Sequence, residues 1–200
     1  MKNHAMREEA IVTTALELAE DRGVAGVTTA GLARRLQFTE AALYRYFPGK
    51  GAIIAAALRH MAERLFATML LELMPEAVQH GHAMELQLQR HIQRFALRKG
   101  LLLELLLFGA GGREEALHAA GAEFLQEYTN RMTAYLKQLQ ELRLASAAHP
   151  PLELARLWVC QLLGGFVRCR LAREPWDPGN QAGFQAFLTQ LQSSSTLAAS

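Results

Sequence analysis

Thr28-Thr29-Ala30-Gly31-Leu32-Ala33-Arg34-Arg35-Leu36-Gln37-Phe38-Thr39-Glu40-Ala41-Ala42-Leu43-Tyr44-Arg45-Tyr46-Phe47-Pro48-Gly49-Lys50 decides the fold. Thr28 or Thr29 can N-cap a helix to about Leu36, because a threonine hydroxyl pairs with a first-turn N–H that the helix leaves open. Leu32, Ala33 and Leu36 recur at helical spacing and mark its inward face. Gln37-Phe38 makes a turn, Thr39 caps a second short helix, and Pro48 stops it. Two short helices across a tight turn, ending in aromatic and basic residues, predict a helix-turn-helix that sets its second helix in a DNA major groove.

The outward residues of that helix suit the task. Ala41 and Ala42 are small enough to approach the groove floor, where an alanine methyl meets a thymine methyl. Glu40 can accept from cytosine N4, and Arg45 can donate to guanine or to phosphate. Thr39 lies on the same outward surface, and Thr28, Thr29, Tyr44, Tyr46 and Lys50 offer donors for the phosphate backbone. Lys50 opens a further helix, where free N–H groups favour an anion. Phe38, Leu43 and Phe47 read as the small core beneath. Arg34 and Arg35 read either as DNA contacts or as a solvated helix face.

Charge supports a local site rather than a polycation. The 200-residue chain has a net charge of +2. Between Arg34 and Arg59 five cations (Arg34, Arg35, Arg45, Lys50, Arg59) face one acid, Glu40, giving 5 − 1 = +4. Cys160 and Cys169 lie nine residues apart in one predicted helix, on nearly opposite faces, so they cannot pair within it. That usage fits a reducing compartment. The first residues lack the apolar core of a signal peptide, and the Leu101–Phe108 run is too short for a bilayer. The expected location is cytoplasmic and nucleoid-associated, with no membrane partner.

Outside the motif the chain is helical in pattern. Helices are predicted over 5–22, 50–74, 82–99, 101–108, 113–145 (broken near Gly121), 152–173 and 181–192, the last two separated by a Pro175–Gly179 loop. The class is all-α, with about nine helices. The domains are 5–50 (motif about 28–47), a regulatory and dimerisation body over 51–192, and a flexible tail at 193–200.

Leu43-Tyr44-Arg45-Tyr46-Phe47-Pro48-Gly49-Lys50, preceded by Thr28-Thr29 and Leu32-Ala33, resembles the TetR/AcrR family of bacterial transcriptional regulators. The motif covers about 8–55; the later helices match in number, length and order. The resemblance implies an all-helical homodimer, a palindromic double-stranded operator, and repression released by a small molecule bound in the C-terminal body. It carries the family's DNA contacts to Thr28, Thr29, Thr39, Glu40, Ala42, Tyr44, Arg45, Tyr46 and Lys50. Thr28–Ala30 and Thr39–Arg45 also resemble the nucleoid-occlusion branch, which implies an alternative: a DNA-bound factor that contacts the division protein FtsZ. Three positions depart from the family. Gln37 stands where glycine is usual, and a left-handed non-glycine costs about 1–2 kcal/mol. Gly31 replaces a larger polar residue inside a helix, at up to about 1 kcal/mol. Gly51 replaces a common acid.

In the body, Met61, Leu65, Phe66, Phe95, Phe108, Phe124, Tyr128, Met132 and Trp158 are candidates to line a pocket for an apolar effector, or else to fill a core. Glu104, a carboxylate inside a leucine run, is expected either to anchor a ligand or to face water. Gly164 and Gly165 weaken a helix interior by about 1 kcal/mol each, which suits close approach of another helix. With Leu157, Cys160 and Val167, and with Phe184, Phe187, Leu188 and Leu191 of the last helix, they form the expected dimer interface. His80, His82 and His91 lack companion ligands at metal spacing. No catalytic triad, phosphate loop or dinucleotide motif is visible. Neither an enzyme nor a cofactor is expected.

Overall fold

The computed structural model describes residues 2–75, 78, 81–112, 114–180 and 182–192. Among them are nine α-helices and no strand. They are α1 (Lys2–Arg22), α2 (Thr29–Leu36), α3 (Glu40–Leu43), α4 (Lys50–Glu72), α5 (Gly81–Arg94), α6 (Leu101–Gly111), α7 (Glu115–Glu141), α8 (Pro151–Ala172) and α9 (Ala182–Gln192). None is long and apolar enough to cross a membrane. The predicted tail at 193–200 lies outside the described residues.

Helix ends follow local chemistry. Thr28 and Thr39 cap α2 and α3 through their hydroxyls. Pro151 occupies the first turn of α8, where its missing N–H costs nothing. Three boundaries differ from expectation. Helix α5 stops at Arg94, because Arg98, Lys99 and Gly100 all adopt positive φ (52°, 57° and 77°). Glycine is required at 100, where a Cβ would lie 2.5 Å from the Phe166 ring. Helix α6 runs past Phe108 to Gly111. Helix α7 continues through Gly121, where the nearest atom to an added Cβ is 3.8 Å away.

The chain divides into two compact units, Met1–Arg64 with Leu101–Phe124, and Leu65–Gly100 with Leu125–Ser200. The first unit takes more than the 5–50 segment, adding the start of α4, all of α6 and the start of α7. In it α1 packs on α2, and α6 packs on a 3-10 turn, Val24–Gly26. Ile11, Val24, Leu32, Leu43, Ile54, Leu58, Leu105 and Leu117 are fully buried there.

The second unit is built around aromatic residues. Phe95, Tyr128 and Trp158 are all buried. The Trp158 ring meets Phe184 at 5.9 Å and Phe187 at 5.0 Å, so α9 docks on α8 through its apolar face. The α7–α8 connection is pinned as well: Ser146 N–H donates to the Leu191 carbonyl at 2.8 Å, and the Gln140 amide donates to the Ser146 and His149 carbonyls.

Candidate nucleic-acid interface

Helices α2 and α3 owe their positions to short-range bonds. Thr28 Oγ1 accepts from Gly31 N–H at 3.0 Å, and Thr39 Oγ1 accepts from Ala42 N–H at 3.2 Å. Between them Gln37 adopts the left-handed conformation (φ 56°, ψ 37°) and its N–H reaches the Ala33 and Arg34 carbonyls. The turn therefore has the left-handed corner expected of glycine, made with glutamine. Gly31 is explained too: a Cβ there would lie 2.9 Å from Thr28 Oγ1, so glycine makes room for the cap. At Gly51 an added Cβ would run into the Glu114 carboxylate.

Thr28, Thr39, Glu40, Ala41, Tyr44 and Arg45 are exposed; Thr29, Ala42, Tyr46 and Lys50 are half-buried. Tyr44 is 54% exposed, which leaves its hydroxyl for a partner outside the chain. Leu43 is buried, while Phe38 and Phe47 are half-buried rather than core. The Arg7 guanidinium sits 5.4 Å over Phe38, and the His4 ring lies 4.7 Å from Tyr46. Helix α1 therefore flanks the reader at both ends of α3. Three expected DNA-facing residues, Thr29, Glu40 and Lys50, are already engaged. Thr29 Oγ1 donates to Glu40 Oε2 at 2.7 Å, which ties the start of α2 to the start of α3. Lys50 Nζ donates to the Ala25 carbonyl at 3.2 Å.

The local +4 charge is a property of the sequence more than of the surface. Arg35 pairs with Glu17 at 3.4 Å and Asp21 at 3.2 Å on α1. Arg59 pairs with Glu123 at 3.1 Å on α7. Arg35 thus ties α2 to α1, and both arginines have carboxylate partners that the charge count left out. Such exposed pairs contribute at most about 1 kcal/mol each. Arg34 and Arg45 remain exposed.

The expected pocket residues separate. Met61, Glu104, Phe108 and Phe124 fall in the first unit; Leu65, Phe66, Phe95, Tyr128, Met132 and Trp158 fall in the second. Leu65, Phe95, Phe124, Tyr128, Met132 and Trp158 are buried core side chains. Phe66 is half-buried beneath the Arg131 guanidinium at 4.8 Å. Of the set, Trp158 borders a void of about 20 Å³, room for about one water. A pocket of about 180 Å³ is lined instead by Met69, Leu73, Arg131 and Tyr135. Glu104 is half-buried rather than turned wholly to water. Its Oε1 accepts from Val24 N–H at 3.1 Å, because the 3-10 turn leaves that N–H without a backbone partner.

The dimer expectation needs a similar correction. Phe184, Phe187, Leu188 and Leu191 are each at most 3% exposed within the chain, so α9 presents other residues outward. Cys160 and Gly164 are exposed, and Leu157, Gly165 and Val167 are half-buried. Leu157, Cys160, Gly164 and Gly165 border an open groove of about 670 Å³. Among the described residues no atom comes within 4 Å of a Cβ added at Gly164, so none of them requires that glycine. Cys160 is exposed and Cys169 buried, and no disulfide joins them.

One polar network has no counterpart in the sequence reading. Tyr128 OH accepts from Trp158 Nε1–H at 2.7 Å and lies 2.9 Å from His91 Nε2. Burial, and then the Arg94 charge, lowers the His91 pKa from 6.5 to about 4. Burial raises the Tyr128 pKa despite the Trp158 hydrogen bond. The imidazole is therefore neutral, and its Nε2 shares one hydrogen bond with the Tyr128 hydroxyl. His91 and Phe95 at i, i+4 were the available signal. His80 and the side chain of His82 lie outside the described residues, and among the described residues no three potential metal ligands cluster.

Comparison with known proteins bears on the whole arrangement. A family model described as bacterial regulatory proteins, tetR family, matches residues 11–57. The nucleoid occlusion factor SlmA of Marinobacter nauticus is 29% identical over 181 residues, 88% of this chain and 91% of that protein. The class C tetracycline repressor of Escherichia coli is 43% identical over 56 residues, 28% of this chain and 26% of that protein. Among solved structures, a TetR-family transcriptional regulator from Agrobacterium tumefaciens has a TM-score of 0.74 at 14% identity, covering 94% of this chain and 98% of that one.

Proposed function

We propose that this chain, whose residues 11–57 match the model of tetR-family bacterial regulatory proteins, is a DNA-binding regulator of that family and acts as a homodimeric repressor released by a small apolar effector. The observation that carries the DNA-binding part is the reader itself: two capped helices across a left-handed Gln37 corner, with Tyr44 and Arg45 exposed beyond it. Thr28, Thr29, Tyr44, Tyr46 and Lys50 would grip phosphates, and Thr39, Glu40, Ala42 and Arg45 would read bases. The reader corresponds to 5–50 and the regulatory body to 51–192. Action would be on the chromosome, in the cytoplasm.

A palindromic operator needs two heads at a fixed spacing. The α8 face with Leu157, Cys160, Gly164, Gly165 and Val167 supports pairing, because Gly164 costs helix stability and no described residue packs over it. Release would be a population shift: an effector that binds the non-operator form more tightly draws the heads out of register. The match to a protein named as a repressor supports this sense of regulation.

Selection of bound sequences from random duplexes tests the reading. A palindrome is the expected product; failure to retard any DNA at low salt would overturn it. The near-full-length match to a nucleoid occlusion factor favours a second reading, in which the body contacts FtsZ. Co-sedimentation with FtsZ polymers separates the two, since a repressor alone stays in the supernatant.

A further inference from the structure

Glu104 and Phe108 stand four residues apart on α6, on one face of the helix. Both act on the same short stretch of the DNA-binding unit. Glu104 holds Val24 N–H at 3.1 Å. Phe108 places its ring 5.5 Å from Lys50 Nζ, and that ammonium donates to the Ala25 carbonyl at 3.2 Å. Val24 and Ala25 are neighbours in the 3-10 turn that leads to the Thr28 cap. Gly23, with φ +74°, completes the fit: a Cβ there would lie 3.2 Å from the Glu104 oxygen.

An ammonium held by a neutral carbonyl and a ring face is held weakly. A phosphate offers a full negative charge, and a charge-assisted hydrogen bond is roughly twice as strong as a neutral one. Lys50 therefore has a resting partner inside the protein and a stronger one in the ligand that the reader is built for.

We propose that the Glu104–Phe108 face of α6 is a latch on the DNA reader, holding Lys50 against the Ala25 carbonyl in the free protein and yielding it to a DNA phosphate in the complex. The proposal rests on the DNA-binding reading above. Glu104 is a positioning residue: it fixes the turn whose carbonyl receives Lys50. Phe108 sets how readily Lys50 leaves.

The test uses the full chain and a fluorescent 30-bp duplex of random sequence, titrated at several salt concentrations. Lys50→Ala lowers the salt slope by about one phosphate contact. Phe108→Leu tightens binding about two- to five-fold with the slope unchanged, the equivalent of one exposed cation–π contact. That gain disappears when Lys50 is also alanine. Glu104→Leu loosens the turn that presents the Ala25 carbonyl and likewise tightens binding, about two-fold with the slope unchanged, whereas Glu104→Gln, which keeps an acceptor for Val24 N–H, binds as wild type.

A second readout is independent of affinity. The chain has four lysines, Lys2, Lys50, Lys99 and Lys137, so ¹³C-dimethylation gives an assignable NMR spectrum. Lys50 should show a ring-current shift that Phe108→Leu removes and that duplex DNA displaces. A gain from Phe108→Leu that persists without Lys50, or a Lys50 signal unmoved by DNA that demonstrably binds, overturns the latch alone. A wild type that binds no duplex overturns the DNA reading and the latch with it.

Discussion

The DNA reader and the aromatic core of the second unit use polar groups in opposite ways. In the reader they lie at the surface in short local bonds: Thr28 to Gly31, Thr39 to Ala42, Thr29 to Glu40. Each can be exchanged for water or DNA without exposing apolar surface. In the second unit, His91, Tyr128 and Trp158 bond across 30 and 37 residues of chain, inside rings that exclude water. Losing one of those bonds leaves a buried polar group with nowhere to go. A surface that must change partners is made of exchangeable bonds; a core that must not change is made of bonds with no substitute.

The sharpest way to break this contrast is a matched pair of tyrosine substitutions. Tyr128→Phe orphans the Trp158 N–H and the His91 nitrogen together. At about 1–3 kcal/mol for each buried orphan, the loss is roughly 2–6 kcal/mol in urea unfolding. Tyr44→Phe, at a 54% exposed site, should change stability by less than about 0.5 kcal/mol and instead weaken DNA binding. Similar stability losses from the two would erase the distinction.

Acid should find the core before the reader. His91 is neutral in the fold with a pKa near 4, against 6.5 when unfolded. The unfolded chain therefore binds a proton that the folded one refuses. The stabilisation is complete above pH 6.5 and is lost as pH falls from 6.5 to about 4, up to about 3 kcal/mol. Thermal unfolding across that range should show the decline in wild type, and His91→Gln should flatten it.

Gln37→Gly probes the reader with a smaller effect. A left-handed non-glycine costs about 1–2 kcal/mol, and glycine returns about 0.5–1 kcal/mol of that as unfolded-chain entropy. A net gain of about 0.5–1 kcal/mol is expected, with operator affinity unchanged because the corner keeps its dihedrals. A loss of stability would mean that the glutamine side chain, and not the corner, matters there.

What the sequence made legible was local. Caps at Thr28 and Thr39, the Gln37 corner and the Pro151 start each depend on a few adjacent residues, so spacing reveals them. What it hid depends on residues far apart. An amphipathic α9 announces an apolar face, but nothing in its pattern says whether that face meets the same chain or a second copy; Trp158 settles it. Glu104 looked anomalous because its partner, the Val24 N–H, lies 80 residues away. The same blindness made Arg35 and Arg59 look unpaired when carboxylates on α1 and α7 stand beside them.

Gly31 is where a local rule and a local contact oppose each other, at the smallest scale. An interior helical glycine replaced by alanine ordinarily stabilises by about 1 kcal/mol. Here the new methyl would stand 2.9 Å from Thr28 Oγ1, the atom that caps the helix. Gly31→Ala must push the cap aside, and losing a threonine cap costs about 1 kcal/mol. The two effects cancel, so the single variant should differ from wild type by less than about 0.5 kcal/mol. With Thr28→Ala already in place there is no cap to displace, and Gly31→Ala should then stabilise by its full helical increment of about 1 kcal/mol. Urea unfolding of the four proteins in this cycle measures the difference directly. An equal effect of Gly31→Ala in both backgrounds would show that glycine at 31 owes nothing to the Thr28 cap.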